Sequence, residues 1–232
     1  MDTKWRKFSR SGGFKAILLL IVLGCAAAVG ADPDEIVFTS GGTESDNTAV
    51  RQAAALGASA GKRRVVASAI EHPAVLNTCR ALEKSGFEVK YIGVDGGGYV
   101  DMEQARKLIT PETAVVSVMA ANNEVGTIQP IRELAALCRE RGALFHTDAV
   151  QAAGHIPLDV RELGCDMMSV SAHKLGGLRG AGLLYIRRGL ELQPLICGGG
   201  QENGLRSGTE NTAAIVSMGA AMEYACGDIN GR

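Results

Sequence analysis

Glu35–Leu56, EIVFTSGGTESDNTAVRQAAAL, decides the reading of this chain. Its first five residues, EIVFT, are rich in β-branched and aromatic side chains and predict a strand, and Thr43–Leu56 predicts a helix. Between them Ser40-Gly41-Gly42-Thr43 forms a strand-to-helix joint. Free backbone N–H groups at such a joint, with the positive end of the helix dipole behind them, make a cradle for an anion. A plain N-cap by Ser40 or Thr43, with Glu44 favouring the dipole from the first turn, is the other reading. The joint is not a nucleotide-binding P-loop. The nearest imitation, Gly57–Lys62, is one residue short and runs into Arg63.

Outward from this stretch the same alternation repeats. Strands are expected at 64–67, 87–92, 114–119, 143–147, 167–170 and 182–186, and helices at 73–84, 102–109, 131–141 and 212–224. Apolar residues at 131, 134, 137 and 138 have helical spacing. Strands alternating with helices of this length predict an α/β fold with a mostly parallel sheet. In such sheets ligands bind beyond the carboxyl ends of the strands. Four polar or glycine-rich segments follow strands here: 40–47, 122–126, 148–151 and 171–177. Their convergence on one edge predicts a site. No GxGxxG follows a strand, which argues against dinucleotide binding.

The totals agree with a globular chain. It has 232 residues, 46% hydrophobic and 21% charged, so it can bury a core. A net charge of −1 gives no reason to expect a nucleic-acid partner. The charge is uneven, however. Through Lys15, five basic residues (Lys4, Arg6, Lys7, Arg10, Lys15) face Asp2 for a net of +4, leaving −5 for the rest. An uncharged stretch, 16–31, follows. It is short for a bilayer span, but a basic start, an apolar run and a small-residue end resemble a signal peptide. We therefore set residues 1–29 apart as a leader, signal-like or foreign, and read 30–232 as the body. A buried helix is the competing reading of the same stretch. The six cysteines lie without CxxC or paired spacing, so neither a zinc site nor a disulfide framework is expected.

Within the loops, Lys174 in SAHK ends a strand, where partial desolvation and the cations His173 and Arg179 would lower its pKa toward a nucleophilic amine. Asp148 closes the strand LFHTD, where a carboxylate needs a cationic partner. Gln151 lies one turn further on, and His72 stands at a strand-to-helix corner before Pro73, where it can stack on a flat ring. A lysine for an aldehyde, a carboxylate for a pyridine nitrogen and a nest for a phosphate are the requirements of pyridoxal 5'-phosphate (PLP).

Six ordered motifs make the match specific: TSGGTESDN (39–47), EHPAVLNTC (71–79), NNEVGTIQP (122–130), HTDAVQAAG (146–154), SAHKLGGLRGAG (171–182) and GGGQENGLRSGTENTA (198–213). Together they resemble cysteine desulfurases of the class V aminotransferase family, from about Gly30 to Tyr224. The resemblance implies the large domain of a type I PLP-dependent transferase, with a seven-stranded-type sheet flanked by helices. It implies that Lys174 binds the cofactor aldehyde and that Asp148 pairs with the pyridine nitrogen. Gln151 and Asn123 would bond around the ring hydroxyl, and His72 would stack on the ring. Gly42, Thr43, Ser171 and His173 would hold the phosphate, and Thr209 would reach the phosphate in the neighbouring subunit.

A homodimer acting on L-cysteine is thus expected. It would convert cysteine to alanine and leave sulfur on the enzyme, for iron–sulfur cluster or thio-cofactor supply through acceptor or scaffold proteins. A selenocysteine lyase or a non-catalytic dimerising remnant are the rivals. The chain departs from the family in three ways: the leader replaces the usual first segment, the C-terminal small domain with its catalytic cysteine loop is missing, and Asn203 stands where arginine is frequent. The family implies a cytoplasmic protein, and the 1–31 segment an anchored or exported one.

Overall fold

A computed structural model describes residues 12–227 and 229. Lys4, Arg6, Lys7 and Arg10, which set the basic start of the leader, lie outside the described residues.

Among the described residues seven strands form one sheet: β1 (Ile36–Thr39), β2 (Arg64–Ser68), β3 (Glu88–Ile92), β4 (Thr113–Ser117), β5 (Leu144–Asp148), β6 (Met167–Ser171) and β7 (Gly182–Ile186). Their order is β1-β7-β6-β5-β4-β2-β3, with β7 antiparallel to both of its neighbours and the other pairings parallel. The expected mostly parallel α/β architecture is therefore present. Alternate residues of each strand face opposite layers. Val65, Val115, Met167 and Leu184 pack into one apolar cluster. Their neighbours Val66, Val116, Met168 and Leu183 pack into another on the opposite face.

The first cluster is closed by α2 (Gly42–Ser59) and α3 (Pro73–Lys84). In α2 the buried positions 46, 49, 50, 53, 54 and 57 recur at helical spacing. The second face carries α5 (Ile131–Arg141), α7 (Thr212–Cys226), the short α4 (Met102–Leu108) and α6 (Val160–Leu163), and α1 (Gly12–Ala27). Helix α6 is the α-helix that the periodicity did not predict, because four residues carry too little of a 3.6-residue repeat. Asp159 caps it, accepting from the N–H groups of Arg161 and Glu162.

Helix α1 is built into the fold. It packs against α7, with Cys25, Ala26 and, just after the helix, Val29 buried in the same cluster as Met218 and Met222. The Val160 N–H also donates to the Val29 carbonyl at 2.9 Å. The helix packs through Ile21, Val22, Cys25 and Ala26, while Leu19, Leu20 and Leu23 of the apolar run are exposed. Among the described residues no helix is long and apolar enough to cross a membrane.

Candidate functional site

The parallel strands β1, β2, β4, β5 and β6 all end on one edge, and a cleft of about 580 Å³ opens there. Of the ten residues expected at a site, nine line it: Gly42, Thr43, His72, Asn123, Asp148, Gln151, Ser171, His173 and Lys174. The tenth, Thr209, does not. It lines an adjoining recess with Arg206 and Glu202, and Ser40 and Gly180 border both spaces.

One wall is the β1–α2 joint. The N-cap is Gly41, and among the described residues no side chain caps the helix, so neither Ser40 nor Thr43 fills the role that a plain N-cap requires. The uncapped first turn stays turned toward the cleft. Close approach shapes this wall. Gly182, the first residue of β7, lies opposite Thr39 and Ser171, and a Cβ there would stand 2.6 Å from the Gly41 backbone. Only glycine fits at Gly182 without moving the joint.

The floor is Asp148, at the end of β5 and 5% exposed. One of its oxygens accepts the Val150 N–H at 2.9 Å. Burial pushes its carboxyl up, while that N–H and the nearby His72 oppose the rise. His72 both lines the cleft and caps α3, its Nδ1 accepting the Ala74 N–H at 3.1 Å. This bond leaves Nδ1 as the acceptor and so selects the tautomer protonated at Nε2.

Asn122 orders the turn that presents Asn123, accepting the Glu124 and Val125 N–H groups at 2.9 and 3.0 Å. Ser171 Oγ lies 2.8 Å from His173 Nδ1. Burial, with Lys174 and Arg179 beside it, lowers the His173 pKa. Lys174 itself is exposed on a single 3-10 turn, Ala172–Leu175, at the open rim. The expected partial desolvation of this lysine is absent, because no neighbouring segment among the described residues covers it.

Several residues at the site escaped the sequence reading: Asp46 and Met119 in the cleft, and Glu71 and His146 behind it. Asp46 is 1% exposed, and its Oδ1 has no hydrogen-bond partner among the described residues. Burial and the nearby Asp148 raise its pKa well above the usual carboxylate range, against a Ser169 hydrogen bond. Its signal in the sequence was its place in the apolar stripe of α2, one turn after Gly42. Burial likewise raises Glu71 to about 8, although Ser68 and the Met119 N–H bond it. Burial lowers His146 to about 3, so it is neutral, with its ring nitrogens 2.9 Å from Ser117 Oγ and Ser169 Oγ.

The cleft therefore sets an amine at its rim, a buried carboxyl on its floor and open N–H donors in its wall. Those are the contacts that a flat cationic ring bearing an aldehyde and a phosphate would take.

Known proteins resemble this chain in sequence and in fold. Residues 23–230 match the aminotransferase class-V family. The chain is 52% identical over 200 residues to cysteine desulfurase IscS of Dictyoglomus turgidum, across 86% of this chain and 50% of that protein. It thus spans about half the length of the curated relatives it matches. Among solved structures, a NifS-like protein superimposes with a TM-score of 0.91 at 42% identity, over 96% of this chain and 63% of that one. A second, described as SspA in complex with cysteine, gives a TM-score of 0.87 at 39% identity, over 96% and 67%.

Proposed function

Because the chain belongs to the aminotransferase class-V family, we propose that it is the cofactor-binding part of a PLP-dependent cysteine desulfurase acting on L-cysteine. The observation that carries this reading is the meeting of Lys174, Asp148 and the uncapped start of α2 in one cleft. Likeness to named cysteine desulfurases, and to a structure described as holding cysteine, supports the choice of substrate.

The residues present fit PLP. Lys174 would carry the aldehyde carbon, Asp148 the ring nitrogen, and the Gly42–Thr43 turn with Ser171 and His173 the phosphate. Asn123 and Gln151 would bond around the ring hydroxyl. PLP, when bound, would supply an electron sink for bond cleavage at the bound amino acid. Asp148 would hold negative charge against the ring nitrogen and so keep its proton in place. His72 presents its ring to the cleft, with Nδ1 committed to Ala74 and the Nε2 proton free to orient a bound group. Lys174, exposed at the rim, can take up and return a proton beside the substrate.

The product would be alanine, with the sulfur retained as enzyme-bound persulfide for delivery to an acceptor protein. Thr209, set outside the chain's own cleft, suits a role in the site of a second copy, and we propose a homodimer on that ground. A reducing cytoplasm is the compartment this reading expects.

The test is covalent mapping. Protein incubated with PLP, reduced with borohydride and digested should carry a pyridoxyl group on Lys174. A label on another lysine, or none on folded protein, refutes the assignment.

A further inference from the structure

Glu44 stands in the first turn of α2, where a free carboxylate would repel the anion that the cradle is open to receive. It is not free. Arg206 grips both of its oxygens, Nε to Oε1 at 2.8 Å and Nη2 to Oε2 at 3.2 Å. The Ser40 N–H adds a bond to Oε2 at 3.0 Å, and the Ser40 hydroxyl another. Both charged side chains are largely covered, 12% exposed for Glu44 and 23% for Arg206.

A second tie runs parallel to this one. Glu202, on the same loop as Arg206, accepts the Phe38 N–H of β1 at 2.9 Å. Glu202 and its neighbour Asn203 stand in the left-handed region, at φ 49° and 56°. Such backbone is retained where surrounding bonds over-determine it. Residues 198–211, which include Thr209, are thus bound at two points to the strand and loop that form the cradle.

We propose that Arg206 and Glu44 form a latch that positions the phosphate cradle: Arg206 neutralises Glu44 beside the anion, and Glu44 fixes the Ser40–Gly41 backbone while holding the Thr209 loop in place. Neither residue needs to touch the ligand; both are positioning residues. The inference rests on the reading of the α2 start as a phosphate site.

Binding of PLP, pyridoxal and inorganic phosphate to the apoprotein separates the outcomes. Arg206→Ala should weaken PLP and inorganic phosphate by about tenfold, the scale of a lost charge-assisted pair, and leave pyridoxal within about twofold. Adding Glu44→Ala to Arg206→Ala should restore phosphate affinity in part, because the unpaired carboxylate has gone. Arg206→Lys, which keeps the charge without the fork, should fall between wild type and Arg206→Ala. Equal losses for pyridoxal and PLP, unchanged phosphate binding in Arg206→Ala, or a double variant whose losses multiply would each overturn the latch. Wild-type protein that binds phosphate but not PLP would sink the cofactor reading and leave the latch standing. Wild-type protein that binds neither would end both. Thermal melts of each variant identify any that fail to fold, and Arg206→Lys then carries the comparison.

Discussion

At the scale of single residues, Asp148 is 5% exposed, and among the described residues no cationic side chain bonds to it, so its charge is costly until a cation meets it. Asp148→Ala should weaken PLP binding by about 3–5 kcal/mol, the range for removing one partner of a buried ion pair, while Asp148→Asn keeps the shape and still loses the charge. Equal affinity and an unchanged absorption spectrum in Asp148→Ala would refute the pairing. Glu71 allows a prediction with a definite sign. Burial raises its pKa from 4.5 to about 8, so the folded protein keeps a proton that the unfolded chain has already released. Stability from this group is therefore present below about pH 4.5, declines as pH rises, and levels off above about pH 8. The slope approaches about 1.4 kcal/mol per pH unit for one proton. Glu71→Gln removes it, so denaturant titrations from pH 5 to 8 should show the variant gaining steadily on wild type. A difference that stays constant with pH would show that Glu71 does not titrate there. Neither Glu71 nor Asp46 was picked out from the sequence. A carboxyl in a motif looks the same whether it faces solvent or a core; only the packing of α2 and α3 over the sheet decides the matter.

Among the elements, α1 is the one whose reading depended on its surroundings. Residues 16–31 fit a signal peptide as well as a buried helix, since both need an uncharged apolar run. In this fold the stretch lies against α7. At Gly219 an added Cβ would stand 2.7 Å from Ile21 Cγ2, so the two helices approach closely there. Gly219→Leu should push α1 away, cost about 1–3 kcal/mol by overpacking, and speed tryptic cleavage at Lys15. Wild-type melting and cleavage in that variant would show that the α1–α7 contact does not contribute. The strands and long helices needed no such context. In Ile131–Arg141 the apolar spacing and the following Gly142, at φ 67°, state the helix and its end locally. Helix α6 lacked that information, being only one turn long.

For the molecule as a whole, the distribution of thiols limits what this 232-residue chain can do unaided. A desulfurase needs a mobile cysteine thiolate to take the substrate sulfur. Burial raises Cys25, Cys79 and Cys165 to about 12, and pushes Cys138 up as well. Only Cys197 is exposed among the described cysteines. The chain should therefore bind cysteine with a spectral change on the PLP-loaded protein, yet release negligible sulfide with a reductant. Steady alanine formation abolished by Cys197→Ser would overturn that and make Cys197 the acceptor. By itself the sequence determined the α/β class, the order of the strands and long helices, and ten expected site residues of which nine share the cleft, because periodicity and loop motifs are local properties of the chain. Strand order, the antiparallel β7, the docking of α1, the exposure of Lys174 and the buried carboxyls were decided only in the tertiary structure. So was the separation of Thr209 from the cleft, bridged by the Arg206–Glu44 pair, whose members lie 162 residues apart. Each of these depends on which surfaces meet after folding, and on the low-dielectric environment that burial creates around charges distant in sequence.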